Sequence, residues 1–177
     1  DIEGRIRSRL EDPELSTIVP IKAPDYRRPA GESGQFELAS YGFLSRCTFD
    51  SFDLRKKEGL KAEEQLSLDR AFRAAQDFAK NPRGWLVFMG TYGCGKTHLA
   101  AAIANVQAEH GHPPLFVVVP DLLDHLRATF APNSAVTLDR RFEDVRSASL
   151  LILDDLGTQA TSDWAREKLY QLFNHRY

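Results

Sequence analysis

The chain has 177 residues, which is enough for about one domain of ordinary size. Hydrophobic residues make up 42% of the chain and charged residues 27%, which excludes a wholly disordered protein. The formal net charge of −2 disfavours a general electrostatic nucleic-acid binder, although it leaves a local basic patch open. Cys47 and Cys94 form no Cys-x-x-Cys pair, which argues against a zinc site or a disulfide framework and suits a reducing compartment.

The amino-acid pattern contains no recognisable membrane or secretion signal. No apolar run approaches the roughly 20 residues needed to cross a bilayer. The first 17 residues are charged and lack the apolar centre of a signal peptide. We therefore expect a cytoplasmic protein without a membrane partner. Residues 2–5, Ile-Glu-Gly-Arg, are either natural or the remnant of a protease-cleavage site, and they enter no functional inference.

Residues 1–45 are predicted to form a weakly ordered N-terminal arm. The arm is rich in charged residues, glycine and proline, and its apolar stretches, such as residues 18–21, are short. Four prolines are expected to interrupt regular structure there: Pro13, Pro20, Pro24 and Pro29. Docking of this arm onto a partner is the alternative interpretation.

The first predicted helix spans about residues 62–80, and the Asn-Pro-Arg-Gly sequence after it ends the helix. Its apolar residues recur at helical spacing and form one stripe: Leu68, Phe72, Ala75 and Ala79. Residues 85–89 form a continuous apolar run, which is typical of a strand buried on both faces of a parallel sheet.

Residues 96–110 are predicted to form an alanine-rich helix. Apolar runs at 115–119 and 150–153 predict two further strands, and residues 162–177 predict a last helix. One face of that last helix is apolar: Ala165, Leu169 and Leu172. Strands that alternate with helices indicate an α/β fold with a parallel sheet and right-handed crossovers.

A glycine-rich phosphate-binding motif follows the strand at 85–89. Residues 90–97, Gly-Thr-Tyr-Gly-Cys-Gly-Lys-Thr, match G-x-x-x-x-G-K-[ST] at every fixed position. The glycines allow successive N–H groups to converge on a phosphate, and the helix N-terminus adds partial positive charge. Lys96 supplies a cation for the β- and γ-phosphates, and the Thr97 hydroxyl can ligate Mg²⁺. A plain glycine turn with a surface lysine is the alternative.

The predicted nucleotide contacts comprise the whole motif. Cys94 occupies one of its variable positions, where a thiolate near a helix N-terminus can be reactive. We favour the other interpretation, a small side chain that fits the space. The predicted contacts are Gly90, Thr91, Tyr92, Gly93, Cys94, Gly95, Lys96 and Thr97.

Two carboxylates follow the apolar run at 150–153. In a parallel sheet, ligands bind at the carboxyl ends of the strands. Asp154 is therefore predicted to hold Mg²⁺, directly or through water, and Asp155 to polarise the attacking water as general base. Two solvated acids that close a strand are the alternative.

Several segments together resemble the DnaC/DnaI helicase-loader family of AAA+ ATPases. They are Gly-Trp-Leu at 84–86, His98-Leu99-Ala100 after the phosphate loop, and Leu-Leu-Ile-Leu-Asp-Asp-Leu-Gly at 150–157. Residues 48–52 resemble that family's entry into its ATPase core, and Asn174-x-Arg176-Tyr177 looks similar too. The transposition helper IstB shares most of these features. The resemblance covers about residues 46–177 and leaves out the N-terminal arm.

The resemblance implies a P-loop NTPase of the AAA+ class, with a three-layer α/β/α parallel sheet. In that family the sheet has five strands, and a sensor residue, an arginine finger and a helical lid follow. We therefore expect a truncation after the third core strand and its following helix, with residues 46–177 as the N-terminal part of the ATPase core. ATP hydrolysis is expected of the intact protein, and ATP binding of this chain.

The resemblance also implies roles for individual residues. Lys96 and Thr97 take the Walker A roles, Asp154 takes the Walker B magnesium role, and His98 joins the nucleotide-binding loop. Asp155 stands where most AAA+ proteins have glutamate, which is one methylene longer, so we expect slow turnover.

Phe49 and Phe52 fall where the family approaches its adenine pocket, and core packing is an equally good interpretation of both. Spacing alone does not assign Arg166 or Arg176 as an arginine finger, and both stay unassigned.

Residues 121–149 predict two short amphipathic helices around a break at 131–134. By resemblance, this region grips single-stranded DNA electrostatically, with a strong dependence on salt. The alternative, which we favour slightly, is a solvated face whose charges pair with interleaved acids. The arginines concerned are Arg127, Arg140, Arg141 and Arg146.

The predicted function is that of an ATP-binding and ATP-hydrolysing AAA+ module similar to bacterial replicative helicase loaders. The implied partners are a replicative DNA helicase, single-stranded DNA and AAA+ neighbours in an oligomer of the intact protein. The alternatives are an IstB-like helper of DNA transposition, a nucleotide-binding switch without turnover, and a small-molecule phosphotransferase. No acceptor site supports the phosphotransferase.

Overall fold

A computed structural model describes residues 2–23, 44–128, 138–157 and 162–177. Its helices and parallel strand pairs confirm the predicted α/β class. In chain order the elements are α1 (Ile2–Leu10), β1 (Ser16–Ile21), α2 (Ala62–Lys80), β2 (Trp85–Gly90), α3 (Lys96–Glu109), β3 (Leu115–Val118), α4 (Val119–Ala128), α5 (Leu138–Ser147), β4 (Leu151–Asp154) and α6 (Asp163–Arg176). Each helix or strand predicted with bounds is found, and its ends lie within one residue of those predicted.

The chain divides into two compact units. The phosphate-loop unit comprises Pro13–Gly111, and the carboxylate unit comprises Asp1–Asp12 together with His112–Tyr177. Among the described residues, no helix combines the length and the apolar character that a bilayer crossing requires.

The first strand corrects the prediction for the N-terminal arm, where we expected prolines to prevent regular structure. β1 pairs in parallel with β2 over its whole length, so that Ile21 lies opposite Gly90. Val19 and Ile21 are buried on alternate positions of the strand. Pro20 is tolerated within β1 because an edge strand has N–H groups that face away from its partner. The position of the domain boundary, between residues 45 and 46, stays a prediction.

The end of β1 is fastened to α2. The Lys22 backbone N–H donates to the Ser67 hydroxyl at 3.0 Å. The Lys22 ammonium also pairs with the Glu63 carboxylate, and this hydrogen bond holds the pKa of Glu63 below its usual value. These contacts place the strand end beside the helix that precedes β2.

The prediction that the strands are buried on both faces is wrong. The side chains of β3 and β4 are half-buried, and Met89 near the end of β2 is 54% exposed. Within the described residues each sheet has two strands, β1 with β2 and β3 with β4. In the described part of the chain, each strand therefore has one strand neighbour and one open edge.

The core of the phosphate-loop unit lies where α2 packs against α3 and β1. Leu68 and Ala75 of α2 are buried, as are Leu99 and Ile103 of α3. The predicted apolar stripe of α2 therefore faces the core. Small residues on both helices leave room for Gln107, whose buried amide donates to the Ala79 carbonyl at 2.6 Å.

The carboxylate unit packs its helices against the pair of β3 and β4. Its core is formed by α4, α5 and α6, and the predicted apolar face of α6 is buried. The Ser162 side chain begins α6 by accepting from the Ala165 N–H at 3.2 Å. The central cluster comprises Leu126, Phe142, Val145 and Leu172.

Gly84 is expected to be essential for the pairing of β1 with β2. A Cβ atom added there would lie 2.3 Å from the Leu15 carbonyl oxygen, and its φ is +64°. We expect Gly84→Ala to lower the free energy of unfolding by about 2–4 kcal/mol, since it adds displacement of a main-chain atom to the cost of a left-handed backbone. Urea unfolding followed by Trp85 fluorescence, in a Trp164→Phe background, measures this loss.

Gly59→Ala is the matched control. Gly59 has a similar φ of +68°, and an added Cβ atom would meet nothing within 4 Å. We expect a loss of about 1 kcal/mol from the backbone alone. Equal losses for the two variants would contradict the close approach of Leu15 to Gly84.

Candidate functional site

The phosphate loop joins the end of β2 to the start of α3, as the motif predicts. Gly93 and Gly95 have φ values of 70° and 103°, in the left-handed region that glycine adopts without strain. Gly95 is the N-cap of α3, and Lys96 is the first residue of that helix. The first N–H groups of a helix have no partner within it, so an anion at this position meets donors and the positive end of the helix dipole.

Gly90 allows the loop to approach β1 closely. A Cβ atom at Gly90 would lie 2.3 Å from the Ile21 carbonyl oxygen and 2.8 Å from the Cys94 sulfur. Cys94 is buried, at 4% exposed, and therefore fills the space beside this glycine. This packing supports the interpretation of Cys94 as a small side chain that fits.

The Lys96 ammonium folds back over the loop. Its Nζ donates to the Thr91 carbonyl at 2.8 Å and to the Gly90 carbonyl at 3.0 Å. It also lies 5.9 Å from the centre of the Tyr92 ring, which is 75% exposed. Neutral carbonyls are weaker partners for an ammonium group than phosphate oxygens. A phosphate bound at this loop would therefore be a stronger partner for the cation than the two carbonyls are.

An aromatic cluster lies beside the loop. The Phe52 ring stacks on Phe72 with centroids 5.5 Å apart, and Phe49 meets Phe72 edge-on at 5.6 Å. A Cβ atom on Gly95 would lie 2.8 Å from Phe52 Cε2, so this ring contacts the loop backbone. Phe49 and Phe52 are both half-buried. Both rings thus pack on Phe72, and Phe52 also borders the phosphate loop.

Two side chains whose role was not predicted from the sequence hold residues 44–52 to α3. His98 Nε2 lies 2.9 Å from the Thr48 carbonyl oxygen, and Asn105 Nδ2 donates to the carbonyls of Leu44 and Cys47 at 2.9 and 3.0 Å. His98 and Asn105 are seven residues apart and share one helix face. The presence of two polar side chains at this spacing on an alanine-rich helix could have indicated a contact on that face. Direct contact of His98 with a nucleotide stays a prediction.

The two carboxylates lie at the end of β4, in the carboxylate unit. Asp154 is its last residue, is half-buried and pairs in register with Val118 of β3. Asp155 is exposed and has a φ of 54°, which is uncommon outside glycine and is often found at functional positions. Within the described residues, no group of three or more His, Cys, Asp or Glu side chains could hold a metal.

Two of the four arginines predicted to bind DNA have partners on the protein. Arg127 pairs with Asp124 at 3.2 Å and lies 5.2 Å from the Trp164 ring centre. Arg146 pairs with Glu143 at 3.4 Å. For these two, the structure supports the paired, solvated face. Arg140 and Arg141 lie on α5, and their side chains are outside the described part of the structure.

The two unassigned arginines have contacts within the carboxylate unit. Arg176 donates to the carbonyls of Arg146 and Ala148 at 3.0 and 2.7 Å, where α5 ends, and its burial lowers its pKa. Arg166 donates to Asp163 at 2.6 Å, three residues earlier on α6. Both contacts are of the kind that stabilise helix ends.

A strand, a glycine loop with left-handed turns, and a helix that begins at lysine together define a P-loop nucleotide-binding protein. The family described as "IstB-like ATP binding protein" matches residues 33–177. Because this match covers most of the chain, the chain belongs to the IstB-like ATP-binding family.

Curated relatives carry the names that the sequence resemblance suggested. The chain is 31% identical to the replicative helicase loader DnaC of Buchnera aphidicola subsp. Acyrthosiphon pisum, over 98% of the chain and 64% of that protein. It is 28% identical to DnaC of Escherichia coli K12, over 73% of the chain and 50% of the relative. It is 32% identical to the replicative helicase loader DnaI of Bacillus subtilis 168, over 55% of the chain and 32% of the relative. The chain thus spans less than two thirds of each of these relatives.

Proposed function

We propose that this chain is the ATP-binding part of a replicative helicase loader of the AAA+ class. The observation that carries the proposal is the phosphate loop, in which Lys96 Nζ lies 2.8 and 3.0 Å from two loop carbonyls above the N-terminus of α3. Such a loop recognises the triphosphate by its backbone donors and one mobile cation. Family membership and the names of the relatives support ATP as the nucleotide and helicase loading as the process.

In this proposal each predicted residue keeps a distinct role. The loop residues 90–97 hold the triphosphate, and the half-buried Phe49 and Phe52 border the base. The Thr97 hydroxyl and the Asp154 carboxylate are hard oxygen donors of the kind that Mg²⁺ prefers, and they would hold the ion. When bound, Mg²⁺ supplies charge neutralisation at the phosphates. Asp155 would accept the proton of the attacking water.

The finer architecture belongs to the same proposal. Residues 46–177 would form the first part of a three-layer AAA+ core. Because each described strand has one strand neighbour, and because β3 and β4 are half-buried, each strand pair has open edges that further strands could cover. Assembly with neighbouring AAA+ subunits is proposed for the whole protein.

A transposition helper is the second candidate, because the matching family carries the name IstB-like. It would use the same phosphate loop and carboxylates with a transposase as partner. Single-stranded DNA binding through Arg127, Arg140, Arg141 and Arg146 is proposed in both cases, although Arg127 and Arg146 are each paired with an acid. A switch that binds ATP without turnover is the third candidate.

Co-purification and phosphate release distinguish these candidates. We expect the full-length protein to retain a hexameric replicative helicase in the presence of ATP and Mg²⁺, and not a transposase. Its phosphate release should rise when single-stranded DNA is added. Retention of the transposase alone would favour the transposition helper. Tight ATP binding without phosphate release would favour the switch.

A further inference from the structure

The segment that borders the phosphate loop contains an internally braced turn. The Ser51 hydroxyl accepts from the Thr48 N–H at 2.9 Å, and the Ser51 N–H donates to the Thr48 hydroxyl at 3.1 Å. These reciprocal bonds tie residues 48–52 into one turn, which we call the aromatic turn because it carries Phe49 and Phe52. The position of both rings therefore depends on how this turn is anchored.

His98 anchors the aromatic turn to the phosphate-loop helix. Its Nε2 lies 2.9 Å from the Thr48 carbonyl oxygen and 3.2 Å from the Ser51 hydroxyl. A carbonyl oxygen can only accept a hydrogen bond, so Nε2 must carry the hydrogen. His98 stands two residues after Lys96, in the first turn of α3. One helical turn therefore holds both the phosphate-binding cation and the anchor of the aromatic turn.

The anchored ring is enclosed on three sides. Phe52 stacks on Phe72, meets the His98 ring edge-on at 5.1 Å and lies against Gly95, where an added Cβ atom would be 2.8 Å from Phe52 Cε2. A shift of the aromatic turn would therefore move Phe52 away from the loop glycine. Half-buried aromatic rings are suitable surfaces for a nucleobase, since stacking is favourable to any flat π-system.

We propose that His98 is a positioning residue for the nucleoside part of the ligand. By donating to the Thr48 carbonyl, it holds the aromatic turn at a fixed distance from the phosphate loop. The base and the triphosphate of one nucleotide then meet surfaces that are already aligned. This inference rests on the proposed function, because it assumes that the loop binds a nucleoside triphosphate.

Loss of the His98 anchor is expected to change the binding of two ligands to different extents. ATP contacts the loop and the aromatic turn, whereas inorganic tripolyphosphate offers only the phosphates. Loss of the anchor should therefore weaken ATP binding by about tenfold, the size expected for one hydrogen bond and the order it maintains. Tripolyphosphate binding should change by less than about twofold.

Calorimetric titration of the full 177-residue chain with ATP and with tripolyphosphate measures this difference in affinity. His98→Ala removes the anchor, and His98→Gln keeps a donor that can reach the Thr48 carbonyl. Asn105→Ala is the matched control, because Asn105 fastens the same segment at Leu44 and Cys47, away from Phe52. We expect His98→Gln and Asn105→Ala to bind ATP within about threefold of the unchanged chain.

The outcomes distinguish failure of the positioning role of His98 from failure of nucleotide binding by the phosphate loop. Unchanged ATP binding by His98→Ala, an equal loss for both ligands, or an equal effect of Asn105→Ala would overturn the positioning role. Lys96→Ala is titrated in parallel. If the unchanged chain fails to bind ATP, or if Lys96→Ala binds it equally well, the proposed function itself is overturned and the inference with it.

Discussion

Replacing Lys96 with alanine is expected to weaken ATP binding by roughly 100-fold, since charged hydrogen bonds to phosphate are among the strongest in proteins. In the structure the ammonium donates to two neutral carbonyls of the loop, at 2.8 and 3.0 Å. A triphosphate offers anionic oxygens in place of those carbonyls. The alanine variant has no ammonium group and therefore cannot form these hydrogen bonds to phosphate. Titration with a fluorescent ATP analogue and Mg²⁺ measures the effect directly.

Lys80→Ala is the control for this measurement. Lys80 ends α2 in the same unit, is 74% exposed and pairs with Asp77 at 3.6 Å. Its removal changes the net charge by the same amount, and we expect no change in nucleotide affinity. Equal binding by Lys96→Ala and the unchanged chain would mean that Lys96 is not the phosphate ligand. Retained melting temperature in both variants would show that the loop unit still folds.

Replacing each of the two carboxylates at the end of β4 with asparagine is expected to impair a different step, Mg²⁺ binding for Asp154 and ATP hydrolysis for Asp155. Asp154→Asn should abolish the gain in ATP affinity that Mg²⁺ provides, because a neutral amide is a poorer ligand for a hard cation. Asp155→Asn should leave that gain intact and lower phosphate release by the full-length protein at least 100-fold, the usual contribution of a general base. Titrations with and without Mg²⁺, followed by phosphate-release assays, measure the two effects.

Asp144→Asn controls for the loss of one negative charge in the same unit, because Asp144 is exposed on α5. It should match the unchanged protein in both assays. If Asp154→Asn retained its full response to Mg²⁺, the assignment of Asp154 as magnesium ligand would be wrong. If Asp155→Asn hydrolysed ATP normally, the attacking water would need another base.

Much of the fold could be predicted because its determinants are local. The apolar stripe of α2 and the alternation of apolar runs with amphipathic stretches depend on spacing within one segment, so they predict elements to within one residue of their ends. The N-terminal strand escaped prediction because its stability is not local. Pro20 argues against a strand, and only the parallel pairing of β1 with β2, which α2 separates from it in the chain, makes one.

The phosphate loop could likewise be recognised from the sequence, since its chemistry requires particular residues at fixed spacing. The roles of the residues that surround the loop in space could not be recognised in this way. The spacing of His98 and Asn105 marks a polar helix face but does not identify its partner, which for His98 is the Thr48 carbonyl, 50 residues earlier. By contrast, the sequence slightly favoured pairing of Arg127 and Arg146 with nearby acids over DNA contacts, and the structure shows each arginine paired with an acid three residues away.

The division between local and distant interactions explains these outcomes. Motif spacing, helical periodicity and glycine placement act over fewer than about 20 residues, and the amino-acid order alone specifies them. Contacts such as those of Phe52 with Gly95, or of Thr91 with the Ala23 carbonyl, join residues more than 40 positions apart. They form only when packing pays the entropy of closing a long loop, so only the tertiary structure decides them.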